Sequence, residues 1–428
     1  MRNKLSRLWC IKLLLICIIC IPSMGDAAFM FHPELDWKSI KTEHFWIHYH
    51  HGLEDHARRL APIAEKVHRQ LVQATGWEPY WRTDVVLVDN TDQPNGFTIP
   101  VPYNRVQLFI VRPKPDSSIG NYDDWMEQVF IHEYSHVFNL DIIEGIPEAT
   151  RYTLGRVCFP NMFLPMWNLE GYPVWRESLE YPYGRVNSSY TDMVMRTEIE
   201  GNSLKSINLA SYFPREWPSG MVPYLYGGLF VDYLQQTQKD GRFEDVFREN
   251  ADNVLPWLVQ KNARDVYDRS FYALWEQWQQ EAVRRYTRQV DQIREKGVTE
   301  PRVLTDSGYF TTMPRFSSDG QSLYYTRMTN YNIPALMRVW LNTGEKEKLA
   351  SIHMPSWLSV SGNGRVLLAD LEYYKTYYMY NDVFTYNHGY DRQTCGMRIQ
   401  SVDPFPDGTM ACVQIENDRY RLLVLGKD

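Results

Sequence analysis

Cysteine is scarce in this chain, with six in 428 residues, and Cys10, Cys17 and Cys20 fall within the first 28. The remaining Cys158, Cys395 and Cys412 are odd in number, so disulfides are not the framework and the fold rests on its core. A single pairing of Cys395 with Cys412 stays open. Basic charge is also short. The formal net charge is −7, and it becomes −10 once residues 1–28, with four basic residues and one acid, are set aside. That balance implies no phosphate-binding surface and argues against nucleic acid as a partner. Long apolar runs are missing beyond residue 21, so no membrane span is expected in the mature chain.

The one sustained apolar run, residues 13–21, follows Arg2, Lys4, Arg7 and Lys12 and precedes Gly25-Asp26-Ala27-Ala28. It is too short for a bilayer and reads as a secretory signal peptide over residues 1–28. Cys17 and Cys20 stand behind isoleucines inside the run, so no lipid anchor is expected. The expected location is periplasm, cell envelope or extracellular space. Aromatic residues are plentiful by contrast, at 14% with 14 tryptophans, which fits large and well-buried domains.

The segment His132-Glu133-Tyr134-Ser135-His136 pins the chemistry better than any other. Histidines four residues apart lie about one helical turn apart and share a face, while Glu133 stands within reach of the water that a shared metal would activate. Asn121-Tyr122-Asp123-Asp124 supplies a cap and early acids, and Trp125, Val129, His132 and His136 follow at helical intervals, so a helix is predicted over 122–140. The competing reading is a pair of core histidines satisfied by hydrogen bonds.

A catalytic zinc needs a third protein ligand and an open position. A third histidine six residues after His136 would complete one known pattern, but Ile142 stands there and Asn139 replaces the glycine. The other source is a glutamate on a following helix. Trp167-Asn168-Leu169-Glu170-Gly171 supplies Glu170.

These three segments resemble the gluzincin peptidases, specifically the peptidase MA-like group related to the zinc aminopeptidases, whose shared pattern is H-E-x-x-H, W-x-x-E-G and Y-x-x-G. Tyr224-Leu225-Tyr226-Gly227 is the third element. The resemblance implies a thermolysin-like α+β catalytic domain over residues 29–300. It implies one Zn2+ held by His132, His136 and Glu170, Glu133 as general base, and Tyr224 as donor to the oxyanion, with Tyr226 as its substitute. Asn139, Asp141 and Glu177 are the nearby acceptors that could orient the imidazoles. The chain departs from the family in the 33 residues between His136 and Glu170, and in Pro173, where alanine is usual. It also lacks any acidic residue over 95–112, where the aminopeptidases bind a free amine. Endopeptidase action on peptides or unfolded proteins is therefore expected.

Six of the 11 histidines fall between His32 and His56. In His44-Phe45-Trp46-Ile47-His48-Tyr49-His50 they alternate with apolar residues, so an exposed strand face is expected rather than a second metal site. Leu60, Ile63, Ala64, Val67 and Leu71 predict a helix stopped at Gly76, and residues 84–88 a buried strand. Val106, Leu108 and Ile110 predict a half-buried strand, placed at an edge by Pro100 and Pro102, where an extended substrate can pair. A long helix is expected over 263–295.

From about residue 301 short β-rich runs take over. Asp319-Gly320, Asn363-Gly364 and Asp407-Gly408 recur every 44 residues, each ahead of an apolar strand. Pro314-Arg315-Phe316-Ser317 with Asp319-Gly320 resembles TolB-like β-propeller repeats, which implies an all-β, propeller-like domain over 301–428. A β-sandwich is the competing architecture. About three blades fit where closed propellers need roughly four to eight, so truncation, completion by a second chain, or an open sheet all remain as expectations. Two functions follow from the whole. One is an exported zinc endopeptidase. The other is an inert zinc-fold scaffold holding a protein partner on its β repeats. Glu133 separates them, because a structural metal site does not need it.

Overall fold

The computed structural model describes residues 31–114, 117–182, 184–238, 242–306, 310–416 and 419–426. The signal peptide expected over 1–28 lies outside them. Strand β1 (Trp37–Lys41) pairs antiparallel with β2 (Phe45–His50). In β2, Phe45, Ile47 and Tyr49 are buried while Trp46, His48 and His50 are not, as the alternation predicted. Helix α1 (Glu54–Thr75) then crosses to β3 (Thr83–Val88), which runs parallel to β2. Ala57, Leu60, Ala64, Val67 and Leu71 form its buried stripe. Gly76 ends it in the left-handed region at φ 63°, donating its N–H to Val72 O.

The sheet continues through β4 (Gly96–Ile99) and β5 (Arg105–Phe109) in the order β1-β2-β3-β5-β4. This corrects the edge assignment. β5 is internal, parallel to β3 and antiparallel to β4, and Val106, Gln107, Leu108 and Phe109 are all buried. Gln107 gave the sequence a false polar phase. The real edge, β4, has four residues that are each half-buried, so it carried no alternation to read.

Helix α2 (Trp125–Asp141) carries both histidines and is capped by Asp124, whose side chain accepts from Glu127 N. Val129, Phe130, Val137 and Phe138 pack against the sheet and α1 in one core. The 33-residue connection contains α3 (Gly145–Leu154). Beyond it lie α4 (Met166–Glu180), α5 (Ser189–Glu200), α6 (Ile207–Ala210), α7 (Val222–Thr237), α8 (Phe243–Ala251), α9 (Val259–Tyr267) and α10 (Phe271–Glu295). Trp167, Tyr172, Phe230, Phe243, Phe247, Phe271 and Trp275 fill the second core. The long helix expected over 263–295 is broken, because Asp268 adopts φ 56° and Ser270 caps α10 by accepting from Ala273 N.

Two features join the ligand-bearing helices. A β-carbon on Gly171 would lie 2.4 Å from the Gly227 carbonyl carbon, and one on Gly227 would lie 2.3 Å from Trp167 O. The glycines of the two motifs thus let α4 and α7 touch backbone to backbone. Pro173 sits inside α4 and cannot donate to the carbonyl of Leu169. Asn139 Nδ2 donates to that carbonyl instead, at 3.4 Å, and ties α2 to α4.

The C-terminal part consists of separate antiparallel meanders with no closed barrel among the described residues. Strands β6 (Phe310–Phe316), β7 (Ser322–Met328), β8 (Ala335–Trp340) and β9 (Lys346–Ser351) form one sheet. Strands β10 (Trp357–Val360), β11 (Val366–Tyr374), β12 (Tyr378–Tyr386) and β13 (Tyr390–Arg392) form the next. β14 (Ile399–Pro404), β15 (Met410–Glu416) and β16 (Arg419–Leu425) form the third. Each 44-residue dipeptide turns the first strand of its sheet into the second, and Gly320, Gly364 and Gly408 all have positive φ. Leu336, Leu358, Val366, Leu368 and Phe384 pack the first two sheets together.

Candidate metal centre

The α2 register places His132 and His136 on one side, and the contact of α4 with α7 carries Glu170 to them. His132 Nε2 and His136 Nε2 lie 3.5 and 3.4 Å from the same atom, Glu170 Oε2. That oxygen is buried with no hydrogen-bond partner. The two rings meet nearly at right angles, at 81° with centroids 5.1 Å apart. Tetrahedral zinc with bonds of about 2.0–2.1 Å has ligand–ligand edges of about 3.3–3.4 Å. The two nitrogen–oxygen edges match such an ion, all three donors lie within 4.8 Å of one another, and an orphaned carboxylate oxygen is what its charge would satisfy.

Two other groups of His and acidic residues come close enough to hold a metal ion, His44, His68 and Glu78, and Glu43, His44 and Glu65. The His44 and His68 rings stack face to face, with centroids 3.8 Å apart at 15°. Their Nε2 atoms lie 3.3 and 3.4 Å from one oxygen, Glu78 Oε1, but Glu78 is exposed, whereas Glu170 is mostly enclosed. Glu65 holds His44 Nδ1 at 2.7 Å and Tyr134 OH holds His68 Nδ1 at 2.9 Å. The α2 group differs from both in burial, since each of the others includes an exposed glutamate.

Around it, Glu177 is the neighbouring acceptor, with Oε2 3.2 Å from His132 Nδ1. Asp141 is spent elsewhere, on Asn104, Arg151 and Arg156, and Asn139 on Leu169. Arg185, which sequence reasoning missed, grips Glu177 with Nε to Oε1 at 2.7 Å and Nη2 to Oε2 at 2.9 Å. Its Nη2 is also 2.7 Å from His132 Nδ1. An imidazole that gives Nε2 to a metal carries its proton on Nδ1; among the described residues Glu177 is the acceptor beside it, and Arg185 Nη2, a donor only, must turn from Nδ1 to Glu177 when that proton is present. Arg185 therefore acts by holding Glu177. Burial alone would raise the Glu177 carboxyl, but the guanidinium outweighs it and brings it to about 2.

Glu133 is buried beside the donors, and burial pushes its carboxyl above the usual range. Thr98 on β4 donates from Oγ1 to Glu133 Oε2 at 3.0 Å and to Glu133 O at 2.7 Å. A β-carbon on Gly96 would come within 2.7 Å of Glu133 Cγ, so only glycine lets β4 approach this closely. Neither residue was singled out from sequence, since a short strand without a pattern gives no signal. The Tyr224 ring stacks on His132 at 6.2 Å, and Arg185 lies over its face at 5.2 Å. Burial and then Glu170 push the Tyr224 phenol up. Tyr226 faces away from the site and donates to Glu198 Oε2 at 2.7 Å.

No family model matches the chain. An uncharacterized protein of Treponema pallidum (strain Nichols) is 25% identical over 242 residues, which are 56% of this chain and 21% of that protein. The match thus spans about a fifth of the relative's length. Among solved structures, native yeast LTA4 hydrolase is similar at 14% identity over 57% of this chain and 39% of its own, with a TM-score of 0.35. TolB from Acinetobacter baumannii is similar at 16% identity over 29% of this chain and 32% of its own, with a TM-score of 0.25. Among the described residues no helix is long and apolar enough to cross a membrane.

Proposed function

We propose that this chain is an exported zinc peptidase of gluzincin type that cuts within extended or unfolded polypeptides. The observation that carries the reading is the orphaned Glu170 Oε2 facing two imidazole Nε2 atoms, with Glu133 alongside. His132, His136 and Glu170 would hold the ion. When bound, zinc supplies Lewis acidity to the scissile carbonyl and to a water, whose pKa falls to about 7.

The chain's own groups do the rest. The outer edge of β4 offers backbone N–H and C=O groups to an extended substrate, which seats the scissile bond beside Glu133. Glu133 takes a proton from the attacking water and later gives it to the leaving amine nitrogen. Thr98 keeps that carboxylate aimed. Tyr224, held between His132 and Arg185, donates its phenolic hydrogen to the carbonyl oxygen as negative charge gathers there.

Metal analysis tests the centre. Purified protein should carry one zinc per chain, and His132→Ala with His136→Ala should abolish it. Stoichiometric zinc in that double variant would overturn the assignment. Because residues 95–112 contain no acid to hold a free amine, acetylated peptides should be cut at least as fast as their free-amine forms. Faster cleavage of the free-amine forms would indicate an aminopeptidase.

A further inference from the structure

The β-sheet region grips chain segments on both sides of the candidate metal centre, the β3–β4 connection and the approach to α7, and the space between those segments is the candidate cleft. On one side it holds the segment between β3 and β4. Arg398 pairs with Asp89 at 2.7 and 2.8 Å and with Asp92 at 2.8 Å. Met379 N donates to Asn90 O at 2.8 Å, and Gln93 Nε2 meets Met354 Sδ. Three residues after Gln93 the chain reaches Gly96, packed on Glu133.

On the other side it holds the segment that leads into α7. Asn330 Nδ2 donates to Arg215 O at 2.8 Å and to Ser219 Oγ at 2.6 Å, and Arg215 lies over the Tyr331 ring. Phe213 of the same segment stands 6.3 Å from the Tyr224 ring. The two grips are neighbours within the β region, since Ile352 N, close to Met354, donates to Pro334 O in the Asn330 turn at 3.0 Å.

A closed circuit results. It runs from Glu133 through β4 and Gln93 to Met354, through Ile352, Pro334 and Asn330 to Ser219, and by α7 to Tyr224 and His132. We propose that the β region is the third wall of this cleft, not a separate recruiting module, and that it restricts substrates to narrow, extended segments. The clasp is the contact of Asn330 with Ser219. It is the weaker side, because Asn330 stands at an exposed turn, whereas the Arg398 ion pairs are nearly closed to solvent and Asp92 wholly so.

This inference rests on the peptidase reading, so its test uses two substrates and one measurement without turnover. In Ser219→Cys with Asn330→Cys, oxidation should slow cleavage of a casein-type chain by more than about tenfold while a quenched octapeptide changes by less than about twofold, and reduction should reverse this. Asn330→Ala with Tyr331→Ala should shift the ratio the other way. An unchanged ratio in both variants overturns the third wall and leaves the peptidase standing. If wild type cuts neither substrate, the peptidase reading fails instead. Hydrogen exchange then decides the clasp alone: Asn330→Ala should lower amide protection over 212–221 and spare 89–93, and equal protection in both proteins would refute it.

Discussion

Gly171 and Gly227 meet backbone to backbone where α4 crosses α7, closely enough that a β-carbon on either would enter the other helix. This contact sets where Glu170 and Tyr224 stand, because each lies within one turn of its glycine. Gly227→Ala should cost about 3 kcal/mol or more, since main-chain atoms cannot yield as side chains do. Denaturant unfolding measures the loss, and zinc affinity should fall with it. A stable variant with wild-type zinc binding would show that the helices have room to spare.

Thr98→Val keeps size and removes the hydroxyl that donates to Glu133 Oε2. Zinc content should be unchanged, and kcat should fall about tenfold for the loss of one hydrogen bond to a charged acceptor. A rise in KM with constant kcat would place Thr98 in substrate binding instead.

Glu177→Ala removes the acceptor for His132 Nδ1 and leaves Arg185 without its carboxylate. Zinc affinity should drop about 10–100-fold, as measured by competition with a chromophoric chelator. Unaltered affinity would mean that the ligand ring is oriented by packing alone.

Arg398→Ala strands Asp89 and the fully buried Asp92 between the N-terminal sheet and the β region. The cost should be about 3–5 kcal/mol. It should also split unfolding into two transitions by calorimetry, because this pair anchors one body to the other. A single transition at the wild-type temperature would contradict that role.

Strong periodicity made α1, α2, β2 and β3 legible in the sequence, and fixed motif spacing pointed to the convergence of His132, His136 and Glu170. The 44-residue turns located the three β meanders, because a left-handed glycine marks the same corner in each. What escaped reading was short or non-local. β4 is too brief to show a pattern, Arg185 reaches the site from a three-residue 3-10 turn eight residues after Glu177, and Asn139 serves a carbonyl that only the folded position of Pro173 exposes. The break between α9 and α10 was hidden because Asp268 and Ser270 are polar residues that a solvated helix also carries.

In the proposed peptidase, Glu133 performs acid–base chemistry on a water. Glu133→Gln preserves size and can still accept from Thr98, but it cannot take the proton. Activity on an unfolded protein and zinc content should be measured on the same preparations of wild type, Glu133→Gln and Tyr224→Phe. Glu133→Gln should keep its zinc and its fold while losing about 10²- to 10⁴-fold in kcat, and Tyr224→Phe should lose about 10²- to 10³-fold. Zinc-loaded wild type and Glu133→Gln that are equally inactive, or equally active, would contradict that role for Glu133.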